Sequence, residues 1–532
     1  MTRSRLSGHT EIMKNLFSRH WKATAIWSLA AVALVLSPLL LYTLKPAPPG
    51  FDIEAAHVPT PPGDIRLLID DTAWDPTAGK RVFNQEIFDE ILAMIGRADR
   101  FLFLDMFLWN PWKGSVPGEH RKLSTELAEA LIQRKQEIPD LDIIVLSDPI
   151  NRIYGSSQPG FFKDLFQSGI PVVSTDLTFL SDSNRIYAPY WSILEKVLNS
   201  PMFKKWAGAP RLSNPFETGG PEISILQFGR MLRFNANHRK VVVAGSSKTG
   251  LEMLIGSLNP ADGSSAHSNM ALHVRGRSVL EILHSELEVL RWSLEGQNNL
   301  ITGTTDALLF KAESVRRQAV GLTGGTAAAP GWPEVKVLTE GAVGRSLVSL
   351  FEGTSMGDEV RIALFYLSQR EIVEAIKKAV ERGVTIRLIL DANRDAFGMR
   401  KIGIPNRPVA AELMKLSDEH DISVRWADTH GEQFHTKSAS IIYRHSGNSV
   451  FITGSANWTR RNIGNFNLEA DLLLDNAPHI TEAFNRYFDT LWDNSDGLSH
   501  TLPYEDWQEN GLKRFIKTGV YRFQERWGAG TF

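Results

Sequence analysis

Cysteine is absent from all 532 residues, which excludes disulfides, thiolate nucleophiles and cysteine-ligated zinc. An excess of charge of either sign is also absent, because 58 lysines and arginines stand against 60 aspartates and glutamates. This balance gives no global electrostatic argument for binding nucleic acid, although it leaves room for a local basic cleft. The hydrophobic fraction of 43% is that of a globular protein, and the length predicts two domains of about 200 residues each.

Charged residues are missing from positions 23–44, which read ATAIWSLAAVALVLSPLLLYTL. A run of this length predicts a helix that crosses a bilayer. Basic residues are concentrated before it, at Arg3, Arg5, Lys14, Arg19 and Lys22. The positive-inside rule therefore predicts a single-pass protein of the cell membrane, with a cytoplasmic N-terminus and the bulk of the chain outside the cytoplasm. A cleaved signal peptide is the alternative interpretation.

Two segments of the chain resemble each other. In the first, the helical pattern ELAEALIQRKQEIPD leads into the apolar run LDIIVLSDP at 141–149. In the second, EIVEAIKKAVERG leads into VTIRLILDA at 384–392. A further buried-strand candidate lies upstream of each, at 100–109 and at 359–368. Helix and strand thus alternate in the same order twice, which predicts a duplicated α/β fold with mixed or parallel sheets.

Breaks in composition divide the chain into seven parts. Proline is frequent at 45–63, which predicts an extended, semi-rigid tether, and GLTGGTAAAPGWP at 321–333 has no periodic pattern. We predict a cytoplasmic N-terminus at 1–22, the transmembrane anchor at 23–44 and the tether at 45–63. The first half follows at 64–302, a linker at 303–333, the second half at 334–500 and a C-terminal extension at 501–532.

Each half also contains the same set of polar residues. The first reads NHRKVVVAG…LIGSLNP and contains His238, Lys240, Ser257 and Asn259. The second reads FHTKSASII…FITGSANWT and contains His435, Lys437, Ser455 and Asn457. The interval from histidine to the glycine of G-S-x-N is 18 residues in one half and 19 in the other. Either short motif alone is a weak signal, but two copies at matching positions of a repeat point to one shared site.

The residue types in this set suit phosphoryl chemistry. On a strand, H-x-K places the histidine and the lysine on the same face, so that a positive charge lies beside the imidazole. The G-S-x-N turn adds a hydroxyl and an amide as neutral hydrogen-bond donors. Two such sets facing each other would surround one small anion. One histidine can then attack phosphorus while the other protonates the leaving oxygen, and the lysines supply the countercharge without a metal.

The duplicated H-x-K and G-S-x-N stretches resemble the phospholipase D superfamily, whose mark is a doubled H-x-K-x4-D followed by G-S-x-N. The resemblance covers about residues 64–300 and 334–500. It implies two similar α-β-α halves in a pseudo-two-fold sandwich, one shared active site, a covalent phosphohistidine intermediate and no cofactor. It also implies His238 as the nucleophile and His435 as the acid.

Two positions depart from the family pattern, since Gly245 and Ile442 stand where the family has the motif aspartate. The family also has a carboxylate after the second G-S-x-N that accepts a hydrogen bond from a histidine. Glu469 matches that position, and its counterpart in the first half is Asn269. We therefore include Glu469 in the predicted site.

We predict an enzyme that hydrolyses or transfers phospholipid at a membrane surface, with water or an alcohol as acceptor, and that is similar to cardiolipin synthases. The anchor, the near-neutral charge and the 14 tryptophans favour a lipid substrate. A nuclease on the same scaffold is the alternative, for which a wide basic groove would be the sign. The missing aspartates keep a third interpretation open, a catalytically inactive binding protein.

Overall fold

The computed structural model describes residues 44–113, 120–155, 157–215, 221–296, 305–323, 328–396 and 399–530, together with the single residues 28 and 37. Two large mixed sheets dominate it. The first half of the chain contains the strands β2 (Ile65–Asp75), β3 (Lys80–Asn84), β4 (Phe101–Met106), β5 (Asp142–Ser147), β6 (Val172–Ser174), β7 (Lys240–Ser246), β8 (Gly250–Gly256) and β9 (Asn269–Arg275). Its helices are α1 (Ile87–Arg97), α2 (Leu123–Glu137), α3 (Gly160–Gln167), α4 (Tyr187–Leu198), α5 (Lys204–Ala207), α6 (Ile225–Met231), α7 (Val279–Glu295) and α8 (Thr305–Gly321).

The second half repeats this order with fewer insertions. Its strands are β10 (Glu334–Thr339), β11 (Glu359–Leu364), β12 (Thr385–Asp391), β13 (Asp395–Ala396), β14 (Met399–Arg400), β15 (Ile422–Ala427), β16 (Lys437–Tyr443), β17 (Asn448–Gly454), β18 (Ala470–Asp475) and β19 (Thr501–Pro503). Its helices are α9 (Gly341–Glu352), α10 (Arg370–Glu381), α11 (Asn406–Leu413), α12 (Arg460–Ile463), α13 (Pro478–Asp493) and α14 (Gly511–Trp527). The short strand β1 (Val58–Pro59) precedes both halves and pairs with β10.

The strand orders of the two sheets correspond. The first sheet runs β3-β2-β9-β8-β7-β4-β5-β6, and the second runs β1-β10-β18-β17-β16-β11-β12-β15-β19. In each, three parallel strands with helical crossovers continue into antiparallel strands at the β4–β7 and β11–β16 pairs. The repeated pattern of helix and strand thus predicted the α/β class and the duplication correctly.

Alternation of side chains divides the core into layers. Phe103, Val243 and Leu272 of the first sheet share one core with Val337 and with other residues of the second sheet. Their sequence neighbours on the opposite face pack instead against the outer helices α1 to α3 in the first half and α9 to α11 in the second. Burial of both faces explains why the strands read as continuous apolar runs. The two sheets therefore meet at the centre of the molecule, where the strand ends of both halves come together.

The predicted N-terminal transmembrane helix needs a correction. Within the parts of the chain described above, no helix has the length and apolar character that a membrane span requires. The run 23–44 itself lies outside the described residues except for Ser28, Ser37 and Leu44. The prediction rested on the length of the uncharged run and, for its topology, on the basic residues before it. We therefore retain neither the transmembrane helix nor the single-pass topology.

The segments predicted as tether and linker pack against the folded halves. Residues of 45–63 bond to both, since Lys45 N donates to Ser181 Oγ (2.8 Å) and Ala55 N donates to Val337 O (3.0 Å). The predicted linker 303–333 contains α8, which buries Leu308, Val315 and Ala319. An amphipathic helix therefore occupies a segment that the sequence suggested only as a connection.

The two positions without the motif aspartate lie in β7 and β16, five residues beyond the lysines. Five strand residues span about 17 Å, which separates Gly245 from Lys240 and Ile442 from Lys437. At Gly245 a Cβ atom would lie 2.4 Å from the ring of Phe101, which is fully buried. The local packing therefore suits glycine and excludes a larger side chain.

We expect Gly245→Asp to lower the free energy of unfolding by about 1–3 kcal/mol, because the new side chain overpacks the Phe101 ring. Urea denaturation followed by tryptophan fluorescence would measure the change. Gly63→Asp is the matched control, since a Cβ there meets nothing within 4 Å. Equal stability of the two variants would contradict this account of the substitution.

Candidate active site

His238 and His435 each stand two residues before a central strand, where the two halves touch. His238 N donates to Leu468 O (2.9 Å) and His435 N donates to Ser268 O (2.8 Å). Parallel bridges between Asn237 and Leu468 and between Ser268 and Phe434 extend these contacts. Each histidine backbone is therefore fixed by a segment from the opposite half.

The opposite half also supplies the partner of each imidazole. His238 Nδ1 lies 2.9 Å from Glu469 Oε2, and His435 Nδ1 lies 3.1 Å from Asn269 Oδ1. Since both partner atoms are acceptors, Nδ1 carries the proton in each ring. Nε2 then has the free lone pair, and in the described part of the chain it has no hydrogen-bond partner. Both histidines line the same cavity, which has a volume of about 280 Å³.

The serines of the two G-S-x-N turns hold these partners. Ser455 Oγ donates to Glu469 Oε2 (2.5 Å), and Ser257 Oγ donates to Asn269 Oδ1 (3.1 Å). Each Oγ also accepts the backbone N–H that follows the partner residue, at 3.0 Å in both halves. The serines are buried behind the histidines and do not line the cavity. Their hydroxyls therefore orient the histidine partners, whereas the sequence pattern suggested contact with the anion.

The two lysines also lie behind the histidines. Lys240 Nζ donates to His238 O (2.5 Å), and Lys437 Nζ donates to His435 O (2.7 Å). Each ammonium lies over an aromatic ring, at 4.9 Å from Phe107 and 5.4 Å from Phe365. Burial lowers the pKa of Lys240 to about 7 and holds the pKa of Lys437 well below its usual value. A negative charge in the cavity would raise both values.

Asn259 and Asn457 of the G-S-x-N turns line the cavity. Asn457 Oδ1 is buried and has no hydrogen-bond partner among the described residues. The remaining walls are mostly apolar and come from both halves: Phe107, Leu108, Trp112, Ile150, Pro215, Met231, Phe234, Ala236, Ala261, Phe365 and Tyr366. The site is thus a small polar floor beneath apolar walls.

Burial dominates the electrostatics of the imidazoles. It lowers the pKa of His238 to about 4, against the opposing effect of the Glu469 carboxylate. Burial and the nearby Lys437 hold the pKa of His435 well below its usual value. Both rings are therefore neutral at pH 7 in the empty site. The carboxylate gives His238 a charged partner that His435 lacks, so the two rings are not equivalent.

Two aromatic residues beside the histidines were not predicted from the sequence. The ring of Phe107 lies 4.6 Å from that of His238, and the ring of Phe365 lies 5.1 Å from that of His435. Both follow a buried strand, β4 or β11, at the corresponding position of each half. The repeat therefore contained this signal, although an aromatic residue after a strand is too common to stand out alone.

Asp148 and Asp391 have a role that the sequence did not reveal. Both lie at the ends of the repeated apolar runs, and the sequence indicated no function for these two residues. Asp148 Oδ2 accepts the N–H of Asn237 (2.6 Å), and Asp391 Oδ2 accepts the N–H of Phe434 (2.9 Å). Each donor precedes a site histidine directly. The aspartates therefore fix the backbone from which both histidines project.

Asn462 and His267 complete the surroundings of the site. Asn462 Nδ2 donates to Glu469 Oε1 and lies 3.4 Å from His238 Nδ1. His267 Nδ1 accepts the N–H of Gln433 (3.2 Å), so its ring can carry a proton on Nε2, and it lines the cavity. Neither residue belongs to a repeated motif, and only the folded chain brings them to the site.

Among the residues that the structure describes, two groups of side chains have the spacing of metal ligands. One comprises His57, Glu334 and Asp475, and the other comprises Glu90, Glu252 and His273. Neither group lines the cavity. In the second group Arg97 already contacts both carboxylates, at 2.6 Å and 2.7 Å, which is the arrangement of a structural ion-pair network.

Comparison with known proteins gives matches of three kinds. A family model described as cardiolipin synthase, phospholipase D-like domain, matches residues 350–492. The mouse protein named mitochondrial cardiolipin hydrolase is 25% identical over 215 residues, which cover 40% of this chain and 85% of that protein. Phosphatidylserine synthase from Haemophilus influenzae aligns with a TM-score of 0.46 and 12% identity, covering 89% of this chain and 95% of that one. The phospholipase D family member Nuc from Salmonella typhimurium aligns with a TM-score of 0.25 and 20% identity, covering 32% and 98%.

The family model matches the half that contains His435, Lys437, Ser455, Asn457 and Glu469. The first half repeats its strand order and its H-x-K and G-S-x-N stretches. These matches and the duplicated site show that the chain is similar to proteins of the phospholipase D superfamily.

Proposed function

We propose that this protein is a phospholipase D-type enzyme that cleaves or transfers phospholipid through a covalent phosphohistidine intermediate. The observation that carries the proposal is the pair of histidines, one from each half, that line one cavity with Nδ1 bonded and Nε2 free. Such a pair can act on opposite sides of one phosphorus atom. The same pair serves hydrolysis and transfer to an alcohol, which differ only in the acceptor.

In the first step His238 Nε2 attacks phosphorus, an N–P bond forms, and the bond from phosphorus to the leaving oxygen breaks. His435, which takes up a solvent proton on Nε2 when the substrate binds, gives that proton to the leaving oxygen. Burial opposes the charged form of His435 in the empty site, and the entering phosphodiester anion raises its pKa. The Glu469 carboxylate stabilises the positive charge that develops on His238, which favours His238 as the nucleophile.

In the second step His435 acts as the base. It takes a proton from water or from an alcohol, whose oxygen attacks phosphorus. The N–P bond breaks and its electron pair returns to His238 Nε2. Asn259 and Asn457 donate amide hydrogens to the phosphoryl oxygens. The bound substrate anion raises the pKa values of Lys240 and Lys437, which then act from behind the histidines as positive charges. We therefore propose that the reaction needs no metal.

The walls of the cavity favour a lipid over a nucleic acid. Apolar side chains such as Leu108, Met231 and Phe234 surround the polar floor. Three basic residues, Lys113, Lys401 and Arg461, also line the cavity and can contact the phosphate of either substrate. A groove that tracks a nucleic-acid backbone would carry a longer run of basic residues. The name of the mouse relative, which refers to a cardiolipin hydrolase, supports the same class of substrate.

The missing motif aspartates do not weaken this proposal. Gly245 and Ile442 stand about 17 Å along their strands from the lysines, well away from the cavity. The histidines, asparagines and Glu469 are all present. This separation argues against an inactive binding protein.

A nitrophenyl phosphodiester tests the roles of the histidines, because its leaving group departs without protonation. We expect His435→Ala to release one equivalent of nitrophenol and to accumulate a phosphoryl adduct on His238, since it lacks the base of the second step. His238→Ala should give neither the burst nor the adduct. Quenched-flow kinetics and mass spectrometry of peptides would measure both. An adduct on His435 in the His238→Ala variant would reverse the assignment.

Glu469→Gln should lower kcat/KM by about 10²-fold or more, because a less basic imidazole is a weaker nucleophile. The carboxylate raises the pKa of His238, so its removal should move the acidic limb of the pH–rate profile to lower pH. Ser455→Ala is the matched control, since it keeps the carboxylate but removes a hydroxyl that orients it. A purely structural role for Glu469 predicts a lower rate with an unmoved limb in both variants.

The substrate class is tested with mixed phospholipids, with and without a primary alcohol, and separately with single-stranded DNA, all in chelator. We expect release of head groups or their transfer to the alcohol, and a fall of about 10²- to 10⁴-fold in His238→Ala and His435→Ala. Liquid chromatography with mass spectrometry would measure the products. Turnover of DNA alone would assign the protein to the nucleases, and no turnover of any substrate would contradict the proposal.

A further inference from the structure

The C-terminal helix α14 is attached to the second half by one face. Tyr521 is fully buried, and its hydroxyl donates to Ser368 O (2.9 Å). Glu525 is also buried and accepts hydrogen bonds from Ser368 Oγ (2.7 Å) and from the N–H of Arg460 (3.1 Å). These bonds fix the rotation of the helix about its own axis, and therefore fix which face points away from the protein.

The face opposite to Tyr521 and Glu525 is apolar and exposed. It is formed by Leu512, Phe515, Ile516, Val520 and Phe523, of which Phe515 is 78% exposed. At 3.6 residues per turn these five side chains lie within an arc of about 140°. An apolar stripe of this width normally faces a core. Here it faces outward, which marks a surface that binds something else.

Positive charge accompanies the apolar stripe. Helix α14 carries five cations, at Lys513, Arg514, Lys517, Arg522 and Arg526, and its one acid, Glu525, is buried on the opposite face. Two of the cations are paired with acids from elsewhere, Lys517 with Glu509 and Arg522 with Glu412. On the helical wheel Lys513 and Arg522 lie just outside the two edges of the stripe, and Arg526 lies within it beside Phe515. Two such helices would repel each other, so the charge argues against a second copy of the chain as the partner. An anionic surface is the complementary one.

The helix ends beside the cavity. Trp527 O accepts the N–H of Arg185 (2.9 Å), and Gly530 O accepts a hydrogen bond from Arg461, which lines the cavity. Arg185 lies just before α4, and the region of α4 and α5 carries further exposed apolar side chains with lysines between them. These are Ile193, Leu194, Val197, Met202, Phe203 and Trp206, with Lys196, Lys204 and Lys205.

We propose that α14, together with the exposed face of α4 and α5, is a docking surface for the anionic face of a lipid bilayer. The apolar stripe enters the boundary between head groups and acyl chains, and the flanking cations contact lipid phosphates. This attachment uses the folded surface and requires no membrane-spanning helix. It brings the cavity to the bilayer, and binding itself is independent of turnover.

The absence of cysteine makes a single label possible. The full-length chain would carry Phe515→Cys, labelled with an environment-sensitive fluorophore, in a His435→Ala background that limits turnover of the vesicles. Phe310→Cys is the matched control, since Phe310 is another helical phenylalanine with a similar exposure of 71%. Phe310 lies on α8, whose side chains bond to Asp142 at the start of β5. Asp148 and the cavity lie beyond the other end of that strand.

We expect vesicles that contain phosphatidylglycerol to shift the emission of the label at position 515 to the blue and to increase its intensity. Vesicles of phosphatidylcholine alone should give a smaller shift, and salt at about 0.5 M should reduce the difference. The label at position 310 should not respond. The fluorescence of the label in the presence of vesicles does not depend on catalysis. A failure of the docking proposal can therefore be distinguished from a failure of the proposed reaction.

Two results would overturn the proposal. An unchanged spectrum of the label at 515 with anionic vesicles would show that α14 does not enter a bilayer. A blue-shifted spectrum already in buffer would show that protein covers the helix. A change of that spectrum with protein concentration would then identify a second copy as the cover, and a spectrum independent of concentration would identify another segment of the same chain.

Discussion

The candidate active site depends on a reciprocal exchange between the two halves of the chain. Each histidine belongs to one half, and the acceptor of its Nδ1 proton belongs to the other: Glu469 for His238 and Asn269 for His435. The histidine backbones are bonded across the same boundary. Because neither half holds its own histidine in position, the site exists only where the two sheets meet. The large shared core, which contains residues of both sheets, therefore stabilises the geometry of the site as well as the fold.

Burial gives this arrangement its chemical character. Two lysines, two histidines and a glutamate lie close together and are almost completely buried, where charge is energetically unfavourable. Burial lowers the pKa of Lys240 to about 7 and that of His238 to about 4, so the empty site carries less positive charge than its composition suggests. A bound anion lowers the free-energy cost of keeping these buried groups positively charged. The lysines and histidines can therefore take up protons and become positively charged when an anion binds. The Glu469 carboxylate makes the two imidazoles unequal.

The pairing of the two halves also decides what surrounds the site. The insertion between β6 and β7, which includes α4 to α6, has no counterpart of similar length in the second half and supplies Met231 and Phe234 to the cavity wall. Helix α14 ends next to the same region and is held there by Tyr521 and Glu525. Departures from the duplication are therefore concentrated on one side of the cavity. The repeat builds the polar floor and the walls at Phe107 and Phe365, and the additions contribute Met231, Phe234 and the outer surface.

The sequence by itself determined the α/β duplication, the two motifs and the position of Glu469, because strands buried on both faces and repeated polar motifs leave periodic patterns in the chain. It suggested a transmembrane helix from the length of one uncharged run, and the structure does not support that prediction. Only the tertiary structure decided that Ser257 and Ser455 orient the histidine partners and that Lys240 and Lys437 lie behind the histidines. It also decided that Asp148 and Asp391 hold the histidine backbones, and that the apolar face of α14 points outward. These features depend on contacts between residues that are distant along the chain, and local patterns carry no record of such contacts.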